Sequence, residues 1–280
     1  MFNKTIAIYT IIDDFLKEMQ HNEQKNRNVS DAEVITTMIV SAIYFGGHQE
    51  KAIGFMRDKE LVPNMLSKSR FNRRLHMIRD LIIDIFFQLS KLIKELNIDS
   101  EYIIDSFPIA VCDNMRIANC KLVQGKIYRG RKATMRKWFY GYNLHILVTT
   151  DGIPVEYTFL PGSCHDSEAL KQMPFNLNEN SRIYGDAAYT NYHIEDMLKD
   201  AEKIDLLVAR KSNSKRKHHP CVEYLIETMR KRVETTFSEL NTMFPKKIHA
   251  VTNYGFVIKI ITFLLSYTLN KSLLIATWVN

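Results

Sequence analysis

The sequence predicts an α/β protein in which a mixed five-stranded sheet is flanked by helices and follows an all-helical N-terminal domain. The first observation is a change of periodicity: apolar residues recur at helical spacing up to about residue 98, and strand patterns begin near residue 100. The second is the order of the elements, in which three strands precede a region where helices and strands alternate. Such an order describes a mixed sheet covered by helices. We therefore predict two domains, residues 1–98 and residues 99–280.

The N-terminal region contains clear helix signals. Apolar residues from Ile6 to Leu16 follow helical spacing and predict a first helix. Ser30 and Glu33 form a capping box that predicts the start of the next helix, and Gly46-Gly47 predicts its end. A further helix is expected after Asn64, and apolar positions in residues 82–93 predict a long helix before the strands begin.

A basic segment at residues 67–76 reads Ser-Lys-Ser-Arg-Phe-Asn-Arg-Arg-Leu-His. A helix-turn-helix would present such residues to the major groove, where arginine reads guanine and asparagine reads adenine. We therefore predict that the N-terminal domain is helix-turn-helix-like and binds DNA through Arg70, Arg73 and Arg74. The alternative is a basic helix face that is only solvated.

The second domain opens with three predicted strands, at residues 102–112, 138–150 and 154–160, and Asp151-Gly152 predicts a hairpin turn between the last two. A helix is expected near Ser167. The remaining predicted elements are a strand running into a turn at 182–189, a helix at 193–202, a strand at 204–209, and helices at 221–244 and 253–274. This order is the one used by ribonuclease-H-like folds.

Composition narrows the function classes. The formal net charge of +7 favours a polyanionic partner, nucleic acid before an anionic membrane surface. The four cysteines form no Cys-x-x-Cys pair, so neither a structural zinc site nor a disulfide framework is expected. The N-terminus lacks signal-peptide features, and the apolar region 256–274 is interrupted by Lys259, Asn270 and Lys271. We expect a cytoplasmic protein with no membrane partner.

Three acids occupy positions that suggest metal chemistry. Asp105 lies inside an apolar strand, where a charge is costly unless it is paired or bound to a metal. Asp186 ends a strand after Gly185, and Glu234 flanks the apolar stripe of a long helix. If the first and fourth strands are neighbours, Asp105 and Asp186 converge and the helix brings Glu234 to them. Carboxylates suit magnesium, and two such ions can serve phosphoryl transfer. Singly, each acid could equally be a cap, a turn residue or an ion-pair partner.

Other candidate residues surround these acids in the predicted topology. His165 and Asp166 could lie beside the metal or support its ligands through hydrogen bonds, or could equally cap the helix near Ser167. Three basic clusters are expected to contact DNA phosphates, although a solvated loop is the alternative. Their candidate residues are Lys126, Arg129, Arg131, Lys132, Arg136, Lys137, Arg210, Lys211 and Arg230.

Several short blocks resemble bacterial DDE transposases, and most closely the insertion-sequence-982 group. They are Ile104-Asp-Ser106, Phe139-Tyr-Gly-Tyr-Asn-Leu-His145, Leu160-Pro-Gly-Ser-Cys-His-Asp166, Gly185-Asp-Ala-Ala-Tyr189 and Arg230-x-x-x-Glu234. The resemblance implies a ribonuclease-H-like core and a triad of Asp105, Asp186 and Glu234 that binds two Mg²⁺ or Mn²⁺ ions. It also implies transposition of an element with terminal inverted repeats.

The chain departs from the related signature Tyr-x2-Arg-x3-Glu-x6-Lys. Arg230 and Glu234 fit, but Glu227 stands at the tyrosine position and Asn241 at the lysine position. Lys246 or Lys247 is therefore the candidate for holding the phosphate near the third acid.

The expected reaction is metal-dependent hydrolysis at transposon ends followed by strand transfer into target DNA, with no covalent protein intermediate. The partners would be double-stranded DNA, both terminal repeats and target, and a second copy of the chain, since joining two ends calls for at least a dimer. Two alternatives stay open: a nuclease of the same fold that never joins strands, and a catalytically idle relative that only binds DNA.

Overall fold

The computed structural model describes residues 1–24, 26–132, 136–245 and 247–278. Two compact units make up the chain. The first comprises Met1–Leu89, Leu240–Ile248 and Tyr254–Asn280, and the second comprises Ser90–Glu239 and His249–Asn253. Boundaries between the units fall inside the helices Arg79–Leu96 and Pro220–Met243 and in the first turn of the helix Asn253–Trp278, and neither unit is one continuous stretch of sequence.

The helices are α1 (Phe2–Glu18), α2 (Asp31–Phe45), α3 (Gln49–Asp58), α4 (Lys68–Met77), α5 (Arg79–Leu96), α6 (Ala169–Gln172), α7 (Tyr192–Glu202), α8 (Pro220–Met243) and α9 (Asn253–Trp278). The strands are β1 (Glu101–Cys112), β2 (Arg129–Lys132), β3 (Lys137–Thr149), β4 (Pro154–Pro161), β5 (Arg182–Gly185) and β6 (Asp205–Val208).

The capping signals at α2 are confirmed. The Ser30 hydroxyl accepts from the Glu33 N–H at 3.1 Å, and the Glu33 carboxylate accepts from the Ser30 N–H at 2.7 Å. Gly46 ends the helix in the left-handed conformation, with φ of 56°. These local contacts satisfy backbone groups that a helix end leaves unpaired, which is why the sequence alone located both ends.

α9 is a core helix of the first unit. It is the helix among the described residues that is long and apolar enough to cross a membrane, over Asn253–Leu273, but 67% of that window is buried inside the protein. Its Phe263 ring lies where a Cβ on Gly47 would be, 2.7 Å away, and its Thr262 hydroxyl contacts the Met38 sulfur at 3.1 Å. The apolar character of α9 is therefore explained by packing and does not indicate a membrane protein.

The predicted mixed sheet is confirmed. β1 runs antiparallel to β3 and parallel to β5, β5 runs parallel to β6, and β4 pairs antiparallel with β3. The hairpin turn before β4 is also present, with Gly152 at φ of 79°. The predicted count of five strands is wrong, because six strands pair within the described residues. The additional strand is β2, which lies inside the segment predicted as a basic loop and pairs with Lys137–Tyr140 of β3.

The register of β1 fixes what each face of the sheet carries. Asp105 lies opposite Ile146 and Phe107 opposite Leu144, whereas Ser106 lies opposite His145 on the other face. α8 covers the Asp105 face, where the Phe237 ring packs edge-on against Phe107 with centroids 6.0 Å apart. Asp105 therefore lies on the face covered by α8, whereas Ser106 and His145 lie on the opposite face.

Candidate active site

Asp105 and Asp186 follow directly after paired residues of two parallel strands. The β1–β5 register ends with Ile104 opposite Gly185, so the two aspartates occupy the next position on each chain. The Asp105 carboxylate accepts from the Ser106 N–H at 2.7 Å. Asp186 caps the 3-10 helix Ala187–Tyr189 and accepts from the Ala187 N–H. Two of the three predicted acids therefore lie side by side at one edge of the sheet.

Gly185 explains how the strands come so close at this edge. A Cβ there would lie 2.9 Å from the Ile104 side chain and 3.2 Å from that of Val208. Both are closer than nearly all real Cβ contacts, so a larger residue would push β5 away from its neighbours. The glycine serves packing between β1, β5 and β6, which in turn sets the spacing of the two aspartates.

Glu234 lies on α8 between two residues that contact this region. Arg230, one turn earlier, places its guanidinium 3.3 Å from the Asp186 carboxylate, and Phe237, one turn later, packs on Phe107. Residues three and four apart share one side of a helix, so Glu234 lies on the side of α8 that faces β1 and Asp186. Its side chain is exposed at the margin of that side.

Asp105, Asp186 and Glu234 do not gather three ligand atoms within 4.8 Å of one another. The group that does so within the described residues is His21, Glu23 and Asp31, in the first unit. Asp31 is already neutralised there, because it accepts from Arg74 at 2.6 Å, from His21 at 2.9 Å and from Arg27 at 3.2 Å. Two guanidinium groups make this cluster an ion-pair network that ties α4 to the start of α2, and a poor cation site.

A buried polar network lies on the other face of β1. Tyr189 and His145 are fully buried, and the Tyr189 hydroxyl lies 2.8 Å from His145 Nδ1. Burial lowers the pKa of His145 to about 4, so the ring is neutral near pH 7. Burial raises the pKa of Tyr189 well above its ordinary value, and the charges of Asp105, Asp166 and Asp186 raise it further. Three carboxylates therefore lie near one buried phenol.

Of the pair His165 and Asp166, only the second reaches this network. His165 caps the 3-10 helix Asp166–Glu168, with Nδ1 3.3 Å from the Ser167 amide nitrogen. Asp166 Oδ1 lies 4.0 Å from His145 Nε2. Burial raises the pKa of Asp166, the charge of His165 lowers it, and the charge of Asp186 raises it. The 3-10 helix that Asp166 begins packs against the 3-10 helix that Asp186 caps, so the two acids lie in the same region.

Sequence reasoning did not single out His145, Tyr189 or Ser106 as site residues. The available signal was a polar residue within a strand that is otherwise mostly apolar. His145 is such a residue in β3, and it lies directly opposite Ser106 of β1. The sequence did not show that β1 and β3 pair in this register, so it could not bring Ser106 and His145 together.

Eleven of the twelve predicted DNA-binding residues fall into two groups, and the twelfth is Lys132. Eight are exposed: Arg70, Arg73, Lys126, Arg129, Arg131, Arg136, Lys137 and Lys211. Arg131 lies over the ring of Trp138, 5.8 Å from its centroid, and 59% of Trp138 is exposed. The backbone of Lys132 pairs with Lys137 in the hairpin. Lys246 lies outside the described residues.

The remaining three arginines are held in ion pairs. Arg74 binds Asp31, and Arg210 binds Glu195 through two contacts at 2.7 and 2.6 Å; both arginine side chains are largely buried. Arg230 is the more accessible of the three, with 39% of its side chain exposed. Arg74 and Arg210 are therefore placed to stabilise the fold, whereas Arg230 can exchange its partner.

A family model described as the transposase DDE domain matches residues 96–250, a little over half of the chain. The chain belongs to the transposase DDE-domain family. No curated protein and no solved structure matches this transposase. The matched range contains the whole sheet, α8 and the acids Asp105, Asp166, Asp186 and Glu234, so the family assignment and the acidic edge concern the same part of the transposase.

Proposed function

We propose that this transposase hydrolyses phosphodiester bonds at the ends of an insertion sequence and joins the freed 3′ ends to target DNA. Asp105, Asp186 and Glu234 are the proposed catalytic triad, with two Mg²⁺ or Mn²⁺ ions as cofactors. The observation that carries the proposal is the adjacency of Asp105 and Asp186, each directly after the last paired residue of β1 and β5, under a helix whose Arg230 contacts Asp186. Membership of the insertion-sequence-982 group remains part of the proposal.

The strand order supports a ribonuclease-H-like fold for the catalytic domain, proposed as residues 99–280. Leaving β2 aside, β4, β3 and β1 are antiparallel neighbours, and β5 and β6 follow in parallel on the far side of β1. That arrangement places the end of β5 beside the middle of β1, where Asp105 and Asp186 follow the last paired residues. The helices of residues 1–98 are proposed to bind the terminal repeats.

The donor set fits divalent cations. Mg²⁺ and Mn²⁺ prefer hard oxygen ligands, and carboxylates supply them. The negative charge of Asp186 acts on Asp166, and the partly exposed guanidinium of Arg230 contacts Asp186. When bound, two such ions would supply positive charge at the attacking and leaving oxygens of the phosphodiester.

The protein's own residues would orient the DNA. Once a cation replaces it at Asp186, Arg230 can donate to a phosphate oxygen from the same turn of α8. The exposed cations of the β2–β3 hairpin can bind backbone phosphates farther from the scissile bond, since Arg129 and Arg131 follow the same edge strand. Neither role needs a covalent protein–DNA link.

The decisive experiment uses the purified full chain with DNA that carries both ends of the element, taken from the sequence flanking the gene, and a target plasmid. We expect Mg²⁺-dependent 3′-hydroxyl nicks at the ends and joined products. Asp105→Asn, Asp186→Asn and Glu234→Gln should each lower cleavage about a thousandfold or more while retaining DNA binding. Glu202→Gln, an exposed acid on α7, is the matched control.

Two outcomes would replace the proposal. Nicking without any joined product would favour a nuclease that does not transfer strands. DNA binding without cleavage in the wild type, under Mg²⁺ and Mn²⁺, would favour an idle DNA-binding relative.

A further inference from the structure

We infer that Asp166 is a fourth metal-binding carboxylate of this site, and that Tyr189 and His145 are positioning residues that hold it beside Asp186. The inference rests on the proposed function and names ligands beyond its triad. It follows from the position of Asp166, from the direction of a buried hydrogen-bond chain, and from the charge at the edge of the sheet.

The position of Asp166 is defined from several directions. It begins the 3-10 helix that follows β4, and 28% of its side chain is exposed, so the carboxylate is reachable from solvent. The 3-10 helix that Asp166 begins packs against the 3-10 helix Ala187–Tyr189, which Asp186 caps. The charges of Asp166, Asp105 and Asp186 all act on Tyr189. The buried phenol thus has all three aspartates around it, and Asp166 belongs to the same edge as the two on β1 and after β5.

The hydrogen-bond chain has a definite direction. The Ser106 side chain is hydrogen-bonded to Tyr189, and with Ser106 as the donor the Tyr189 hydroxyl keeps its own proton for a second bond. Tyr189 then donates its own proton to His145 Nδ1, 2.8 Å away. A neutral imidazole carries one proton, so this arrangement leaves it on Nε2.

His145 Nε2 is aimed at Asp166 and has no hydrogen-bond partner within the described residues, although the ring is fully buried. Buried donors are rarely left unpaired in folded proteins. Asp166 Oδ1, 4.0 Å away, is the anionic acceptor this N–H faces, and a shift of about 1 Å would form the bond. Carboxylates that bind metals are commonly held by such outer hydrogen bonds.

The charge at this edge calls for a cation. The negative charge of Asp186 opposes ionisation of Asp166, and the Arg230 guanidinium contacts Asp186 rather than Asp166. A divalent ion shared by the two carboxylates would compensate both charges at once. His145 Nε2 would orient the Asp166 carboxylate from one side, and Asp186 lies on the other side. This arrangement suits a carboxylate that binds a metal together with Asp186.

The test measures Mn²⁺ binding to the full chain by electron paramagnetic resonance, alongside DNA cleavage. Asp166→Asn should weaken Mn²⁺ affinity about 10- to 100-fold. Glu168→Gln, on the same 3-10 helix and paired with Lys171, should leave the affinity unchanged. Asp166→Cys should cleave DNA with Mn²⁺ but not with Mg²⁺, because a thiolate is a poor ligand for the harder ion.

The positioning role is tested by a double-variant cycle. Tyr189→Phe should weaken Mn²⁺ affinity, and combining it with Asp166→Asn should cause no loss beyond that of Asp166→Asn alone. A purely structural effect of the lost hydroxyl would instead add to that of Asp166→Asn. Additive losses would therefore remove Tyr189 and His145 from the inference.

Loss of the Asp166 assignment and loss of the proposed function give different experimental results. If the wild type binds Mn²⁺, Asp105→Asn weakens binding and Asp166→Asn does not, Asp166 is no ligand and the proposed function stands. Equal activity of Asp166→Cys with both metals would also overturn the inference. If neither the wild type nor Asp105→Asn binds Mn²⁺, the proposed function itself fails.

Discussion

Arg230 occupies the position beside Asp186 that a cation would need. The two side chains are 39% and 47% exposed, and ion pairs of this kind contribute only about 0–1 kcal/mol to stability. A divalent ion can therefore displace the guanidinium at little cost. The displaced arginine would then be available to a DNA phosphate within one helical turn of Glu234.

Replacing Arg230 should separate metal binding from cleavage. Arg230→Gln removes a competitor at Asp186, so Mn²⁺ affinity without DNA should stay at the wild-type value or rise. Cleavage should fall about tenfold or more, because a charge-assisted contact to phosphate is lost. Titration with Mn²⁺ and a cleavage time course check the two effects.

The control for that variant lies two residues along α8. Arg232→Gln removes an equal charge from the opposite side of the helix, where it should change cleavage far less. If Arg230→Gln lost Mn²⁺ affinity, Arg230 would be supporting Asp186 rather than competing for it.

At the scale of the elements, α8 and the β3–β4 turn meet at Gly152. A Cβ on Gly152 would lie 1.9 Å from the Thr236 hydroxyl oxygen, and the glycine itself has φ of 79°. Because Thr236 is buried, a side chain on Gly152 would push α8 away from the turn. Glu234 lies two residues from Thr236 on the same helix and would move with it. The turn thus contributes to where the third acid of the proposed triad lies.

Gly152→Ala should displace α8 and lower cleavage while DNA binding persists. The positive φ alone costs roughly 1–2 kcal/mol with a side chain present, and the clash adds to it. Thr236→Ala in the same chain should recover part of the cleavage by removing the opposing oxygen. Gly54→Ala in α3, where a Cβ meets nothing within 4 Å, is the control and should not reduce cleavage. Unchanged cleavage in Gly152→Ala would argue against this coupling.

The β2–β3 hairpin gives a second prediction at this scale. Arg131→Gln should weaken binding to all DNA sequences similarly, and should reduce the slope of log affinity against log salt by about one. Filter binding over a salt series measures that slope. Lys203→Gln, an exposed lysine paired with Glu179, should leave the slope unchanged. An unaltered slope for Arg131→Gln would mean that the hairpin does not contact phosphate.

The same elements show what the sequence could and could not predict. α2 was located because Ser30 and Gly46 mark its ends chemically, and β3 because its apolar residues alternate. β2 was missed because its sequence is Arg-Gly-Arg-Lys. An edge strand without apolar residues shows no alternation from which it could be predicted. α3 was not predicted, since only Ala52, Ile53 and Met56 are buried in its ten residues.

For the candidate site, the sequence predicted Asp105 and Asp186 as neighbours because strand order determines which strands lie side by side. The sequence did not predict which side chains form ion pairs. Nothing in the local sequence of Arg74 or Arg210 distinguishes them from exposed arginines, and only tertiary packing brings Asp31 and Glu195 to them.

On the scale of the whole molecule, the first unit uses both early and late parts of the chain. α9 packs there with the N-terminal helices: Lys4 donates to Asn270 at 2.5 Å, and Tyr254 donates to Asp80 at 3.0 Å. Periodicity identified α9 as a buried helix but carried no information about which core receives it. The predicted boundary between residues 98 and 99 therefore needs an experimental test.

A fragment of residues 1–98 should fold poorly on its own, because it lacks the apolar face that α9 supplies to the first unit. We expect low helix content and no cooperative thermal transition by circular dichroism, compared with the full chain. A fragment with a sharp transition and dispersed amide resonances would show that the N-terminal helices form an independent domain.

The return of α9 to the first unit also orders events during synthesis. A ribosome must have made the entire second unit before the helices proposed to grip the terminal repeats can be completed. Truncated translation products would then lack a finished DNA-binding half, and so would be poor competitors for the ends of the element. Chain connectivity would in this way limit interference from incomplete copies without any separate regulator.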